Sequence, residues 1–168
     1  MHIVFDWNGT LLNDVQVVLE CDSQVGAEFG LWGPVTLAYY RENFDRNWRA
    51  FYSTLAGREI TDNEIVAIDK RWHEIYSELA PQASLFDDVG AVLDALDQSN
   101  IVKSLHSMYP HEFLVPIVES FGLTKRFTEV DGKRDPDEGH PKAEHLQQHV
   151  DRLRESGETN FAIVGDNV

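Results

Sequence analysis

The chain opens on a short apolar run, His2-Ile3-Val4-Phe5, that ends in a carboxylate, Asp6, and breaks at once into Asn8-Gly9-Thr10. The run has the length and β-branched content of a buried strand, and Asn-Gly marks a turn. Asn13-Asp14 then caps a helix running through Val15, Val17, Val18 and Leu19 toward Phe29, which Gly30 to Pro34 stops. Further helices are predicted over Val35 to Asn43 and over Arg46 to Leu55, the latter ending at Gly57. Thr61-Asp62-Asn63-Glu64 has the form of a capping box, opening a fourth helix through Ile65, Ile68, Trp72, Ile75 and Tyr76. From about 15 to 80 no segment reads as a strand.

After Pro81 the texture changes. Val89, Val92, Leu93 and Leu96 share one face of a short helix, and Ile101 to Leu105 reads as a strand with Ser107 beyond its end. A helix over Pro110 to Phe121, a brief strand over Phe127 to Val130 and a polar loop over Asp131 to Pro141 follow. The chain closes with a helix over Lys142 to Arg154 and a strand over Asn160 to Val164 that leads into Gly165-Asp166. Strands alternating with helices imply a parallel sheet with right-handed crossovers. The expected organisation is an α/β core of residues 1–14 and 81–168, with residues 15–80 inserted as an all-helical cap. Asp6 would then stand at the carboxyl end of a strand, in the crevice where open α/β sheets bind ligands. A carboxylate beside a permissive glycine suits an anion-plus-metal site.

Composition narrows the partners. A net charge of −15, from 14 basic and 29 acidic residues, repels nucleic-acid backbones and anionic membranes. No apolar run approaches the roughly 18 residues of a membrane span, and the first residues lack the form of a signal peptide. Cys21 is the only cysteine, so no disulfide can form within the chain, and a reducing cytoplasm is the expected compartment. Nothing in the pattern fixes the oligomeric state.

Asp6-Trp7-Asn8-Gly9-Thr10-Leu11 resembles the first motif of the haloacid dehalogenase superfamily, whose phosphatases usually read Asp-x-Asp-Gly-Thr-Leu. The resemblance extends along the chain. Leu85 through Leu96 is similar to the family's helix on return from a helical cap. Ser107, followed by Pro110 and Phe121-Gly122-Leu123, matches the second motif; Ser104 is a rival, set in mid-strand. Lys142, directly before a helix, matches the third motif ahead of Lys133, and Phe161 to Asp166 matches the fourth. The phosphoglycolate phosphatase-like branch looks nearest. The resemblance implies a Rossmann-like core and an Mg²⁺-dependent phosphatase acting on a small phosphorylated metabolite. In that reading Asp6 attacks phosphorus to give an aspartyl-phosphate, which water then hydrolyses. Ser107, Lys142 and the backbone after Asp6 at Trp7, Gly9 and Thr10 contact the phosphoryl group, while Asp6, the Asn8 carbonyl and Asp166 hold the metal.

Two departures bear on activity. The family's second acid is Asn8 here, and a carboxamide cannot serve as general acid or base, a loss of about 10²–10⁴ in rate. The family also supplies a further acid soon after the fourth motif, then another helix and usually a strand, so on the resemblance either the sequence is truncated or the product lacks part of its metal site and a sheet edge. A catalytically silent relative that binds a phosphorylated ligand or a protein is therefore the alternative. Among other candidates, Arg41, Arg46, Arg49 and Arg58 lie among Tyr39, Tyr40, Trp48 and Tyr52, and Arg49 is a candidate grip for an anionic substrate. Packing and pairing with Glu and Asp is the competing role. His145 and His149, four apart on a helix, lack a third metal ligand of suitable spacing and read as surface residues. His106 reads as a packed strand residue.

Overall fold

The computed structural model describes all residues except Arg46, 135–141 and 166–168. The elements in chain order are β1 (His2–Phe5), β2 (Leu12–Asn13), α1 (Val15–Glu28), α2 (Leu37–Asn43), α3 (Trp48–Ala56), α4 (Asp62–Leu79), β3 (Ser84–Leu85), α5 (Val89–Gln98), β4 (Val102–Pro110), α6 (His111–Ser120), β5 (Val130–Lys133), α7 (Lys142–Glu155) and β6 (Phe161–Val164). They fall into two compact units, Met1–Asn13 with Ala83–Val168, and Asp14–Gln82.

The first unit is built on a parallel sheet of order β5-β4-β1-β6. Strand β1 lies inside the sheet, with all four of its residues buried. Both faces of such a strand are covered, so its near-continuous apolar sequence is what the position demands. Phe5 pairs in register with Leu105 and with Val164, which brings the ends of β1 and β6 level beside Asp6 while β4 runs on past them.

Two strand boundaries differ from expectation. Strand β4 continues through Ser107 to Pro110, with its register against β5 slipping between His106 and Pro110. Strand β5 begins at Val130, three residues later than Phe127: Thr124–Arg126 form a 3₁₀ turn, and Phe127 instead packs edge-on against Phe5 at 6.4 Å. Asp131 is therefore a strand residue and fully buried, not part of a polar loop. Gly132 is required beside it, because a Cβ there would stand 2.7 Å from both His111 Cα and Tyr109 O. The two-residue strands β2 and β3 pair antiparallel, Leu12 with Leu85. Strands that short carry no periodicity and were not anticipated.

The second unit is the helical cap, four α-helices with no strand among its described residues. The capping box is present as expected, with Thr61 Oγ1 accepting from Glu64 N and the Glu64 carboxylate accepting from Thr61 N. Asp14 is the N-cap residue of α1 but makes no side-chain cap bond. Its carboxylate takes the Tyr76 hydroxyl at 2.6 Å. Helices α1 and α4 meet around Asp22, whose Oδ1 accepts from Tyr52 Oη at 2.8 Å and Trp72 Nε1 at 2.9 Å. Among the described residues no helix is long and apolar enough to cross a membrane.

Candidate active site

Asp6 follows β1 directly, and its amide continues the sheet ladder to Val164 O at 2.8 Å. Its carboxylate is buried; Trp7 N donates to Oδ1 at 2.9 Å, and Lys142 Nζ donates to Oδ2. Lys142 is the first residue of α7, so an ammonium 136 positions away is brought onto the strand-end acid.

The loop after Asp6 closes on itself. Trp7 O accepts from the amides of Thr10, Leu11 and Leu12, and Gly9 N donates to Leu12 O at 3.0 Å, with Gly9 at φ +70°. The positive φ explains the glycine. The Trp7, Gly9 and Thr10 amides, expected to meet a phosphoryl group, are thus engaged within the loop or by Asp6. The Trp7 side chain is fully buried and packs edge-on against Phe121 at 5.8 Å, which removes it from any ligand-facing role.

Asn8 and Ser107 stand together: Ser107 Oγ donates to Asn8 Oδ1 at 3.1 Å and accepts from Tyr109 N at 3.0 Å. The rival Ser104 points elsewhere, its hydroxyl engaged by His2 and His149 under α7. Asp6 with Lys142, and Asn8 with Ser107, are the groupings formed from the sequence candidates. Arg49 belongs to the cap unit, where it pairs with Asp62 at 2.5 Å and the Ile60 carbonyl at 3.3 Å, so the pairing role describes it. Asp166 lies outside the described residues.

The histidine reading needs correction. His145 and His149 are buried, not surface residues, because the sheet beneath α7 supplies polar partners for them. His149 Nδ1 lies 2.9 Å from Asp131 Oδ2, and the His106 ring lies tilted against that of His145 with centres 4.6 Å apart. His106 is buried as expected, and burial, reinforced by His145 and His149, pushes its pKa down to about 3. Burial opposes ionisation of Asp131. The hydrogen bond from His149 and the charges of Arg152 and Arg134 outweigh it and hold the carboxyl well below the usual range. Glu129, Asp131 and His149 form the one group of potential metal ligands found among the described residues. Arg152 already contacts both acids there, so a guanidinium supplies the charge a cation would bring.

A sequence-profile match to haloacid dehalogenase-like hydrolases spans residues 1–168. The chain belongs to that family. No curated protein matches it significantly in sequence. Solved structures share its fold. A haloacid dehalogenase-like hydrolase from Streptococcus pneumoniae superposes with a TM-score of 0.78 at 18% identity, over 98% of this chain and 75% of that one. A predicted phosphoglycolate phosphatase from Haemophilus somnus gives 0.69 at 20% identity, over 89% and 71%. CbbY from Rhodobacter sphaeroides, as a mutant in complex with xylulose-(1,5)bisphosphate, gives 0.71 at 15%, over 91% and 72%. Across such structures this haloacid dehalogenase-like chain spans between 63% and 79% of their lengths. The expected α/β core with a helical cap is the observed fold.

Proposed function

We propose that this chain is a phosphohydrolase for small phosphorylated metabolites, with Asp6 as nucleophile and turnover limited by Asn8. The observation that carries the reading is Lys142 on the Asp6 carboxylate at the carboxyl edge of the sheet. An ammonium there offsets the repulsion between a carboxylate and an incoming phosphoryl dianion, and stabilises charge on the transferring group. Asp6 attacks in line at phosphorus, the P–O bond to the leaving group breaks, and water subsequently cleaves the aspartyl-phosphate. Ser107 supplies a hydroxyl that can turn from Asn8 to a phosphoryl oxygen.

The oxygen donors of Asp6 and the Asn8 carbonyl suit Mg²⁺. With Asp166 they would hold the ion, which supplies charge neutralisation when bound.

Asn8 offers neither an acidic proton for the leaving oxygen nor a base for water. Substrates with good leaving groups, such as acyl phosphates, are therefore favoured over sugar phosphates. The complex of CbbY with a sugar bisphosphate makes phosphorylated sugars a natural part of the panel. The test is turnover of phosphate monoesters and acyl phosphates with Mg²⁺, by this chain and by Asn8→Asp. A gain of about 10²–10⁴ in the variant supports the reading. Absence of turnover in both, with no binding of BeF₃⁻, ends it. Asn8 also favours a second reading, a silent relative that holds a phosphorylated ligand; binding of BeF₃⁻ without turnover even in Asn8→Asp identifies it.

A further inference from the structure

The interface between α7 and the sheet is polar where such interfaces are ordinarily apolar. Lys142, His145, His149 and Arg152, spaced three, four and three residues apart, lie along one side of the helix. Facing them are Asp6, His106, Ser104 with His2, and Asp131. The buried residues of α7 are His145, His149, Val150 and Leu153. Its buried apolar side chains thus lie in the second half, and the turns that carry Lys142 are seated through histidines.

The polar contacts around His149 form a chain from β5 through β4 to β1. Asp131, kept ionised by Arg134 and Arg152, can only accept, so His149 donates from Nδ1 at 2.9 Å. Its Nε2 lies within hydrogen-bond distance of the Ser104 hydroxyl, at 2.8 Å. Ser104 Oγ in turn lies within hydrogen-bond distance of His2 Nε2, at 2.9 Å. His2 Nδ1 lies 3.8 Å from the Glu158 carboxylate. Asp131, His149 and Ser104 have the contacts of a nucleophilic triad. Ser104 is 0% exposed and its oxygen is shared with His2, so no substrate reaches it. What remains is a mechanical role. Apolar packing tolerates sliding, whereas hydrogen bonds are directional and fix one placement of a helix on a sheet.

We propose that His149 is a positioning residue, clamped between Ser104 of β4 and Asp131 of β5 so that α7 presents Lys142 to Asp6. The kinetic consequence rests on the phosphohydrolase reading; the placement of Lys142 does not. The experiment compares His149→Leu, His149→Asn and, as a packing control, Leu153→Ala, in the full chain and on the Asn8→Asp background. Two readouts are taken: kcat and KM with an acyl phosphate, and the ¹⁵N signal of the Lys142 ammonium, assigned by its loss in Lys142→Met.

His149→Leu is expected to lower kcat about tenfold or more with KM within about twofold, and to erase the ordered Lys142 signal. His149→Asn, whose amide can still donate to Asp131, is expected to recover part of both. Leu153→Ala is expected to lower Tm and leave both readouts in place. The proposal is overturned if His149→Leu keeps kcat and the Lys142 signal, or if Leu153→Ala reproduces the loss. Should no form turn over, the function reading fails and the ammonium signal alone decides the placement. If His149→Leu does not fold, Ser104→Ala severs the same chain of bonds and is read in the same way.

Discussion

Asp22 makes the cap's stability depend on pH, and replacing it with Asn isolates the effect. The carboxyl is buried between α1 and α4, and burial raises its pKa from 3.8 to about 6 against the opposing hydrogen bonds from Tyr52 and Trp72. Below about pH 4 the group is protonated in both folded and unfolded chains and adds no penalty. As the pH rises from 4 to 6 the unfolded chain releases its proton while the folded chain retains it, so stability falls. Above 6 the loss is complete. A shift of about two units corresponds to roughly 3 kcal/mol. Asn keeps the oxygen that accepts from Tyr52 and Trp72 but cannot ionise. The stability of Asp22→Asn relative to the parent should therefore rise by roughly 3 kcal/mol between pH 4 and pH 6 and stay level above it. Urea unfolding of both chains across pH 4 to 7.5 measures this, followed by tryptophan fluorescence, since Trp32, Trp48 and Trp72 lie in the cap. Taking the difference cancels every other titrating group. A flat difference over that range refutes the assignment of the shift to burial of Asp22.

Thr61→Ala removes the hydroxyl half of the capping box and should cost about 1 kcal/mol of cap stability in the same assay. Gly132→Ala drives a Cβ into backbone atoms of Tyr109 and His111 that cannot swing away, and should cost about 1–3 kcal/mol in urea. His106, with its pKa lowered from 6.5 to about 3, should show no titration of its ring protons by NMR between pH 8 and 5. Its contribution has the opposite sign to that of Asp22: below about pH 6.5 the unfolded chain takes up a proton that the folded chain refuses, so stability declines as the pH falls.

The opening strand and its acid were legible because local signals coincide there, an apolar run, a carboxylate and a glycine turn within a few residues. The capping box at Thr61 and the stop at Gly57, at φ +65°, were legible for the same reason. What escaped the sequence was polar burial. Asp131 sits in a run of charge and glycine that reads as loop, and its burial inside a sheet depends on His149 and Arg152, about twenty residues on, together with the nearby Arg134. His145 and His149 resemble a solvated helix face until the sheet presents His106, Ser104 and His2 to them. A hydrophobic pattern records where apolar groups go, and it has no register for polar groups that are buried in pairs drawn from distant segments. Lys142 was singled out by its match to the family's third motif, directly before a helix, whereas the means by which that helix is seated left no trace in α7 alone.

The small ribbon of β2 and β3 has a consequence for how this chain could change over time. Leu12 and Leu85 are bonded neighbours, so everything between them is a loop whose two ends are stapled together within the core unit. Lengthening, shortening or exchanging the intervening helices leaves the spacing of those ends untouched, and a longer loop adds closure entropy only logarithmically. The core could accept a two-residue turn in place of the whole helical insert and still complete its ribbon as an ordinary hairpin. The ribbon is a docking port for modules, through which the helical insert can be traded while Asp6 keeps its place at the end of β1.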